Sequence, residues 1–154
     1  MPSTAPAPCY LLDANALIAL CWPHHEHHKR MLAWFGRHAA DGWATCALTQ
    51  AALVRISLQP TFSSLSAHGI SVDTIAQLLA NNTAHPAHHF LNLDFGFDTV
   101  VQRCTGGIWG HRQITDAWLL TTAIRHGCKL LTFDTGINAL LATMPEKETH
   151  LTLL

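Results

Sequence analysis

Short apolar runs alternate along the chain with stretches in which apolar residues recur three and four positions apart. The apolar runs predict four strands, at residues 9–12, 43–47, 90–93 and 129–133. The periodic stretches predict helices over residues 15–21, 24–38, 49–58 and 99–104, and in two further segments that begin at Ser71 and Asp116. Because strands and helices alternate, we expect an α/β fold of three layers, α/β/α, with a mainly parallel central sheet.

Residues typical of helix ends and turns support these boundaries. Thr49 and Ser71 can cap helices, because a side-chain hydroxyl accepts a hydrogen bond from a free backbone N–H of the first turn. Gly127 can end the helix that begins at Asp116, since glycine adopts the left-handed backbone conformation common there. Residues 61–69 are predicted to form a loop and the glycine-rich residues 105–110 a turn.

Three aspartates stand at comparable places in this pattern. Asp13 and Asp134 directly follow predicted strands, and Asp116 begins a predicted helix. In parallel sheets, ligands bind beyond the carboxyl ends of the strands. Each aspartate alone is more typical of a helix cap or a turn, but three in matching contexts favour a site, and we expect the carboxylates to gather at one edge of the sheet.

Carboxylates that lie close together favour binding of a cation. Their negative charges repel one another, and hard divalent ions such as Mg²⁺ or Mn²⁺ prefer oxygen ligands. Such an ion can activate a water molecule and neutralise charge on a phosphate, which is the chemistry of metal-assisted phosphodiester hydrolysis. The aspartates therefore predict a catalytic metal site formed by Asp13, Asp116 and Asp134.

Length and charge limit the domain organisation and the mode of ligand binding. The 154 residues, 49% of them hydrophobic, suit one domain over residues 9–154 after a flexible leader at residues 1–8. The net charge of -1 excludes a uniformly basic nucleic-acid-binding surface. Any contact with nucleic acid is therefore expected to be local.

The cysteines and the first residues favour a cytoplasmic protein. The five cysteines are odd in number, widely spaced and mostly embedded in apolar runs, which is typical of reduced thiols rather than of a disulfide framework. The leader has no basic residue, and Asp13 interrupts the apolar run that follows it. We expect neither a signal peptide nor a membrane span.

Several short motifs together resemble those of PIN-domain ribonucleases of the VapC toxin family. LLDANALI at residues 11–18 is similar to the opening motif of these toxins. TDAWLL at 115–120 resembles the helix that bears their third acid, and LTFD at 131–134 the strand that delivers the fourth. The less specific segments 43–46 and 48–50 fit as well. The resemblance extends over roughly residues 10–154.

This resemblance implies a PIN-like domain and a specific activity. The chain would be the toxin of a type II toxin-antitoxin system, an endoribonuclease that depends on Mg²⁺ or Mn²⁺ and cuts structured RNA such as tRNA or rRNA. It would form a homodimer and be held inactive by a VapB-like antitoxin. Asp13, Asp116 and Asp134 are the residues that match the acidic positions of the family.

The sequence departs from the family at the second acid. Where most members carry a glutamate three residues before an arginine, this chain has Ala52 before Arg55. Gln50 lies two positions earlier and so on another face of the helix, which makes it a poor replacement ligand. The loss favours one ion over two. It leaves open an alternative function, that of a catalytically weakened or inactive module that binds RNA or the antitoxin.

Five polar residues are candidates for auxiliary or RNA-binding roles. Asn15 and Thr132 can hydrogen-bond Asp13 or a metal-bound water, although asparagine is also common at helix starts. Gln50 can contact RNA or water. His111 and Arg112 precede Asp116 and can hold a phosphate, but an exposed basic turn without function explains them as well.

Three other features suggest separate hypotheses. His24 and His28 would lie one helical turn apart and suggest zinc, but a structural zinc site usually needs four ligands. Trp109, in the glycine-rich turn, can stack on a base. A phosphotransfer domain phosphorylated on Asp13 would require a second acid beside it, which residues 13–15 do not supply.

Overall fold

The computed structural model describes residues 9–63 and 69–154. Their strands form one five-stranded sheet in the order β3-β2-β1-β4-β5, and every pairing is parallel. The strands are β1 (Cys9–Leu12), β2 (Trp43–Cys46), β3 (His88–Leu91), β4 (Cys128–Thr132) and β5 (Leu151–Leu153). The leader at residues 1–8 lies outside the described residues.

Helices connect the strands and cover the sheet. The described residues form α1 (Ala14–Cys21), α2 (His28–His38), α3 (Ala47–Ser57), α4 (Pro60–Ser63), α5 (Val72–Thr83), α6 (Phe97–Arg103), α7 (Ile114–Arg125) and α8 (Met144–His150). Within the described ranges, no helix has the length and apolar character that crossing a bilayer requires.

Neighbouring apolar residues of the central strands point to opposite faces of the sheet. Leu11 and Leu130 are fully buried in one apolar cluster, together with residues of α6 and α7. Leu12 and Leu131 are fully buried in a second cluster, together with residues of α1 and α2. Side chains alternate along a strand, so an unbroken apolar run fills both faces. The expected three-layer α/β/α arrangement is confirmed.

The start of α2 differs from the prediction. A helix was expected over residues 24–38, but it begins at His28. Before it, the backbone N–H of His25 donates to the carbonyl of Trp22, and that of His28 donates to the carbonyl of His25. These bonds span three residues and form turns. The predicted helix is therefore wrong over its first four residues, and one of them, His25, lines a cavity described below.

Other boundaries shift by a few residues. Helix α3 begins at Ala47, so Thr49 is its third residue and not its cap, and the Thr49 hydroxyl accepts from Cys46 N at 3.0 Å. Strand β3 begins at His88, two residues before the predicted start, because it pairs in register with β2 from Trp43 onward. The turn at the end of α7 follows the prediction, with Gly127 at φ +68°.

The loop prediction for residues 61–69 is only partly testable. Its first residues belong to helix α4, contrary to the prediction, and residues 64–68 lie outside the described part of the chain. Ser71 caps α5 as expected, since its hydroxyl accepts from Thr74 N at 3.1 Å. Among the apolar residues of α5, Ile75 is fully buried, whereas Val72 is 56% exposed.

Candidate active site

The three aspartates singled out from the sequence line one cavity of about 420 Å³ at the carboxyl ends of β1 and β4. Asp13 directly follows β1 and is the N-cap of α1. Asp134 lies two residues beyond β4, and Asp116 is the third residue of α7. We call this space the acidic cavity. Its described lining consists of Asp13, Ala14, Asn15, Ile18, His25, Ile56, Phe62, Asp116 and Asp134.

Asp13 is buried and held by two hydrogen bonds. Its Oδ1 accepts from Ala14 N at 2.6 Å, as expected of a helix N-cap. Its Oδ2 accepts from the Thr132 hydroxyl at 2.7 Å. Each oxygen retains a lone pair that neither bond uses. The carboxylate is thus fixed in position while it can still bind a cation.

Thr132 connects the ends of β1 and β4. While its hydroxyl donates to Asp13, the same oxygen accepts from Asn15 Nδ2 at 3.2 Å and from Asp134 N at 3.0 Å. Asn15 Oδ1 in turn accepts from Phe133 N at 3.3 Å. Asn15 therefore reaches Asp13 through Thr132 rather than by a direct bond. Both residues position the carboxylates, because their hydrogen bonds are directed at other protein groups.

Burial and neighbouring carboxylates raise the pKa of Asp13 and of Asp116. Burial is the main cause that raises the pKa of Asp13, against the hydrogen bonds from Thr132 and Ala14, which lower it. Burial, followed by the charges of Asp13 and Asp134, raises the pKa of Asp116 from its ordinary 3.8 to about 6. No lysine or arginine is among the described residues that line the cavity. A cation would relieve this repulsion.

The donor chemistry of the acidic cavity fits a hard divalent cation. Asp13, Asp116 and Asp134 offer carboxylate oxygens, which Mg²⁺ and Mn²⁺ prefer. Among the residues that the structure describes, no three histidine, cysteine, aspartate or glutamate side chains are grouped closely enough to chelate an ion as they stand. The fit is therefore one of donor type, not of a preformed coordination shell.

Helix α3 bears Ala52, at the position of the missing acid, and Gln50. Neither is among the described residues that line the cavity. Ala52 is buried, with 6% of its surface exposed. Gln50 is half-buried, and its Nε2 donates at 2.9 Å to Thr45 Oγ1, which also contacts His88 Nε2 at 2.8 Å. Gln50 is thus bound to β2 through Thr45, while α3 contributes Ile56 to the cavity.

The basic turn before α7 lies outside the acidic cavity. His111 and Arg112 form a 3-10 turn with Gln113, and both are exposed. The structure therefore does not bring them together with the aspartates. Trp109 is 85% exposed and lines a separate cavity with Phe97, and its indole N–H donates to Gly106 O at 3.2 Å.

The histidines of residues 24–28 make different contacts. His28 Nδ1 donates to the carbonyl of Ala19 at 2.7 Å, and this bond anchors the start of α2. His27 stacks on Phe133, with ring centroids 4.5 Å apart. His25 lines the acidic cavity. The sequence pattern of this run suggested zinc and gave no signal for His25, because residues 24–27 were predicted to be helical and instead form turns.

Comparison with known proteins places this architecture in a family. Residues 10–140 match the PIN domain family. Over 141 residues the chain is 40% identical to Ribonuclease VapC38 of Mycobacterium tuberculosis (strain ATCC 25618 / H37Rv), a match that covers 92% of this chain and 96% of that protein. The chain belongs to the VapC family of PIN-domain proteins. The resemblance drawn from the sequence motifs is confirmed.

Two further similarities support the placement of this PIN-domain protein. It is 37% identical over 127 residues to Ribonuclease VapC39 of Mycobacterium tuberculosis (strain CDC 1551 / Oshkosh), which covers 82% of this chain and 89% of that protein. Its fold is similar to that in the structure of VapBC2 from Rickettsia felis bound to a DNA fragment from their promoter, with a TM-score of 0.58. That match covers 94% of this chain and 98% of the other at 14% identity, so it shows the fold alone.

Proposed function

We propose that this protein is the toxin of a type II toxin-antitoxin system and an endoribonuclease that hydrolyses phosphodiester bonds of RNA. The observation that carries the proposal is the convergence of Asp13, Asp116 and Asp134 on one cavity. It is supported by the identity of 36–40% to VapC proteins named as ribonucleases. On the family resemblance we extend the proposal to structured RNA, such as tRNA or rRNA, as the substrate.

The proposed reaction depends on Mg²⁺ or Mn²⁺ held by Asp13, Asp116 and Asp134. When bound, such an ion would activate water and neutralise charge on the phosphate. The contribution of the chain is to keep the ligands in place. Thr132 donates to Asp13 Oδ2 and, by accepting from Asp134 N, fixes the backbone that carries the next carboxylate. Ile18, Ile56 and Phe62 contribute the larger apolar side chains of the cavity lining.

We further propose a VapB-like antitoxin as the partner of this chain, a homodimer as its assembly and the cytoplasm as its location. VapBC2 of Rickettsia felis, which shares the fold, was solved bound to a promoter DNA fragment. In this chain the negative charge of the acidic cavity suits a basic side chain of the antitoxin, which would neutralise the three carboxylates in place of a metal ion.

The test is cleavage of total cellular RNA by the purified wild type and by Asp116→Asn, with EDTA, Mg²⁺ or Mn²⁺ and with mapping of new 5′ ends. We expect discrete cuts that require metal and that disappear in the variant, because the substitution removes a ligand charge and hardly changes shape. Cleavage that persists in Asp116→Asn with metal present would refute the site assignment. The mapped ends would also name the RNA target.

The missing second acid supports a second candidate function, without catalysis. Ala52 is buried where most of the family carries a glutamate, and the described residues hold no preformed metal cluster. A catalytically weakened PIN-domain module would then bind RNA or the antitoxin without cutting. Calorimetric titration with Mn²⁺ separates the two functions, since the ribonuclease must bind the ion and Asp116→Asn must bind it more weakly.

A further inference from the structure

A row of rings leads from the acidic cavity to the exposed surface of α2. His25 lines the cavity, and its ring centroid lies 5.6 Å from that of His27. His27 stacks on Phe133 at 4.5 Å with an interplanar angle of 14°. The guanidinium carbon of Arg30 lies 5.8 Å from the centroid of Phe133. We call these four residues, His25, His27, Arg30 and Phe133, the ring track.

The ring track is held rigidly at both ends. Phe133 is followed directly by Asp134, and its backbone N–H donates to Asn15 Oδ1. The turn that bears the histidines is anchored by the Trp22 indole N–H, which donates to Ser57 Oγ at 2.8 Å, and by His28, which donates to the carbonyl of Ala19. A surface that is ordered before its ligand arrives binds it at lower entropic cost.

The hydrogen bond at His25 determines which ring nitrogen is free to donate to a ligand. Its Nδ1 accepts from the backbone N–H of His27 at 3.1 Å. In a neutral imidazole with an accepting Nδ1, the proton is on Nε2, which is then a donor. No described residue hydrogen-bonds this Nε2. The ring therefore offers one N–H donor at the wall of a cavity whose other polar groups include three carboxylates.

The charge along this part of the surface suits a polyanion. Over residues 14–40 the chain carries Lys29, Arg30 and Arg37, and its single acid is Glu26, 3.6 Å from His27 Nε2. The three basic side chains are exposed. A strand of RNA combines phosphates, which pair with arginine, and bases, which stack on aromatic and imidazole rings. An acidic peptide would use the charges but not the rings.

We infer that the ring track binds the RNA strand on one side of the cleaved bond, with His25 donating to the phosphate in the acidic cavity and Arg30 pairing with a phosphate farther along. A base of the same strand stacks beside His27 and Phe133. This inference rests on the proposed function, since it assumes that the acidic cavity holds the bond to be cut. It assigns His25 and Arg30 as substrate-binding residues.

The test for Arg30 is binding of a fluorescein-labelled single-stranded RNA of mixed sequence to the full chain, in EDTA, over a series of KCl concentrations. A plot of log affinity against log salt has a negative slope, and the loss of one phosphate contact makes this slope less steep by about 0.7. We expect this loss in Arg30→Gln. Arg125→Gln is the matched control, because Arg125 also lies over a ring, that of Phe95 at 5.2 Å, but at the far end of α7 from Asp116.

The test for His25 compares two substitutions in the same assay with Ca²⁺ in place of EDTA, because a cation must neutralise the carboxylates of the acidic cavity before a phosphate can enter it. His25→Gln keeps a side-chain N–H donor, whereas His25→Phe keeps a ring without one. We expect His25→Phe to weaken binding by roughly 10-fold, as for a lost hydrogen bond to a charged group, and His25→Gln to retain most of the affinity. His89→Phe, on the exposed surface of β3, is the control for loss of a histidine elsewhere.

The outcomes separate this inference from the proposed function. Equal salt slopes for Arg30→Gln and Arg125→Gln, equal affinities of the two His25 variants, or a wild type that does not bind the RNA would overturn the ring track. Cleavage of cellular RNA by the wild type with metal, measured beside these assays, judges the ribonuclease alone. If the protein cuts RNA but the binding comparisons fail, the proposed ribonuclease function stands and the ring track is rejected as its RNA-binding surface.

Discussion

On the β1 and β4 side of the acidic cavity, Asp13 is held by two hydrogen bonds. On the α7 side, Asp116 has no side-chain hydrogen bond within the part of the chain that the structure describes. Asp13 is fixed by Thr132, which also binds Asn15 and Asp134. Asp116 is placed by its helix alone, and burial, followed by the repulsion of the other two carboxylates, raises its pKa to about 6. The strand side of the cavity, formed by Asp13, Asn15 and Thr132, is therefore preorganised. On the helix side, the ionised form of Asp116 depends on a cation.

The largest effect on stability is expected from loss of the hydroxyl that joins the strand side. Thr132→Val leaves the buried Asp13 without one of its donors and removes the acceptor of Asp134 N and Asn15. We expect the free energy of unfolding to fall by about 2 kcal/mol and metal-dependent cleavage to fall by about 10- to 100-fold. Urea denaturation measures the free energy of unfolding, and initial rates measure metal-dependent cleavage.

Thr121→Val is the matched control for this substitution. Thr121 is fully buried as well, but its hydroxyl donates to the carbonyl of Ala117 one helical turn earlier, and its loss leaves no charged group unpaired. We expect it to cost less than about 1 kcal/mol. Equal costs for the two variants would show that Thr132 stabilises the fold only as a buried side chain and that Asp13 does not depend on its hydroxyl.

The next effect concerns Asp116 and has the opposite sign. Its pKa in the folded state, about 6, lies above the ordinary 3.8, so the folded protein binds the proton more tightly than the unfolded chain. The resulting destabilisation is fully present above about pH 6 and is lost as the pH falls toward 4. Asp116→Asn should therefore stabilise the metal-free protein at pH 7, on the order of 1 kcal/mol because partial exposure screens the charges.

Thermal unfolding of the wild type and Asp116→Asn at pH 7 and pH 4, with and without Mg²⁺, checks this sign. The variant should be the more stable at pH 7 without metal, and the two should be alike at pH 4. Addition of Mg²⁺ should stabilise the wild type more than the variant, since only the wild type retains all three ligands. A variant that is less stable at pH 7 would mean that burial and repulsion do not destabilise the charged form of Asp116.

The smallest effect is expected at Asn15, whose two bonds to Thr132 and Phe133 are 3.2 and 3.3 Å long. Asn15→Ala should cost about 1 kcal/mol and weaken cleavage less than Thr132→Val does, because Thr132 still reaches Asp13 directly. Asn81→Ala, which breaks an exposed bond from Gln77, should stay within about 0.5 kcal/mol. Urea denaturation of both decides whether Asn15 supports the strand side.

Much of the fold followed from local patterns. The strand at residues 9–12 was predicted with the observed bounds, and the Ser71 cap and the Gly127 turn follow rules that involve only neighbouring residues. Strand β5 was not predicted, since a three-residue segment acquires its identity from pairing with β4. The start of β3 at His88 likewise depends on register with β2, which is a contact between residues distant in sequence.

For the site, the sequence by itself determined which carboxylates stand at the ends of the parallel strands and at the start of α7. The places of Asp13, Asp116 and Asp134 beside predicted strands and helices are local properties, and the alternation of strands with helices implies parallel strands whose carboxyl ends share one edge. Only the tertiary structure decided that Asn15 acts through Thr132, that Arg112 lies outside the cavity and that His25 lines it. Each of these depends on how a side chain meets a segment far away in the chain, and hydrophobic periodicity holds no information on such contacts.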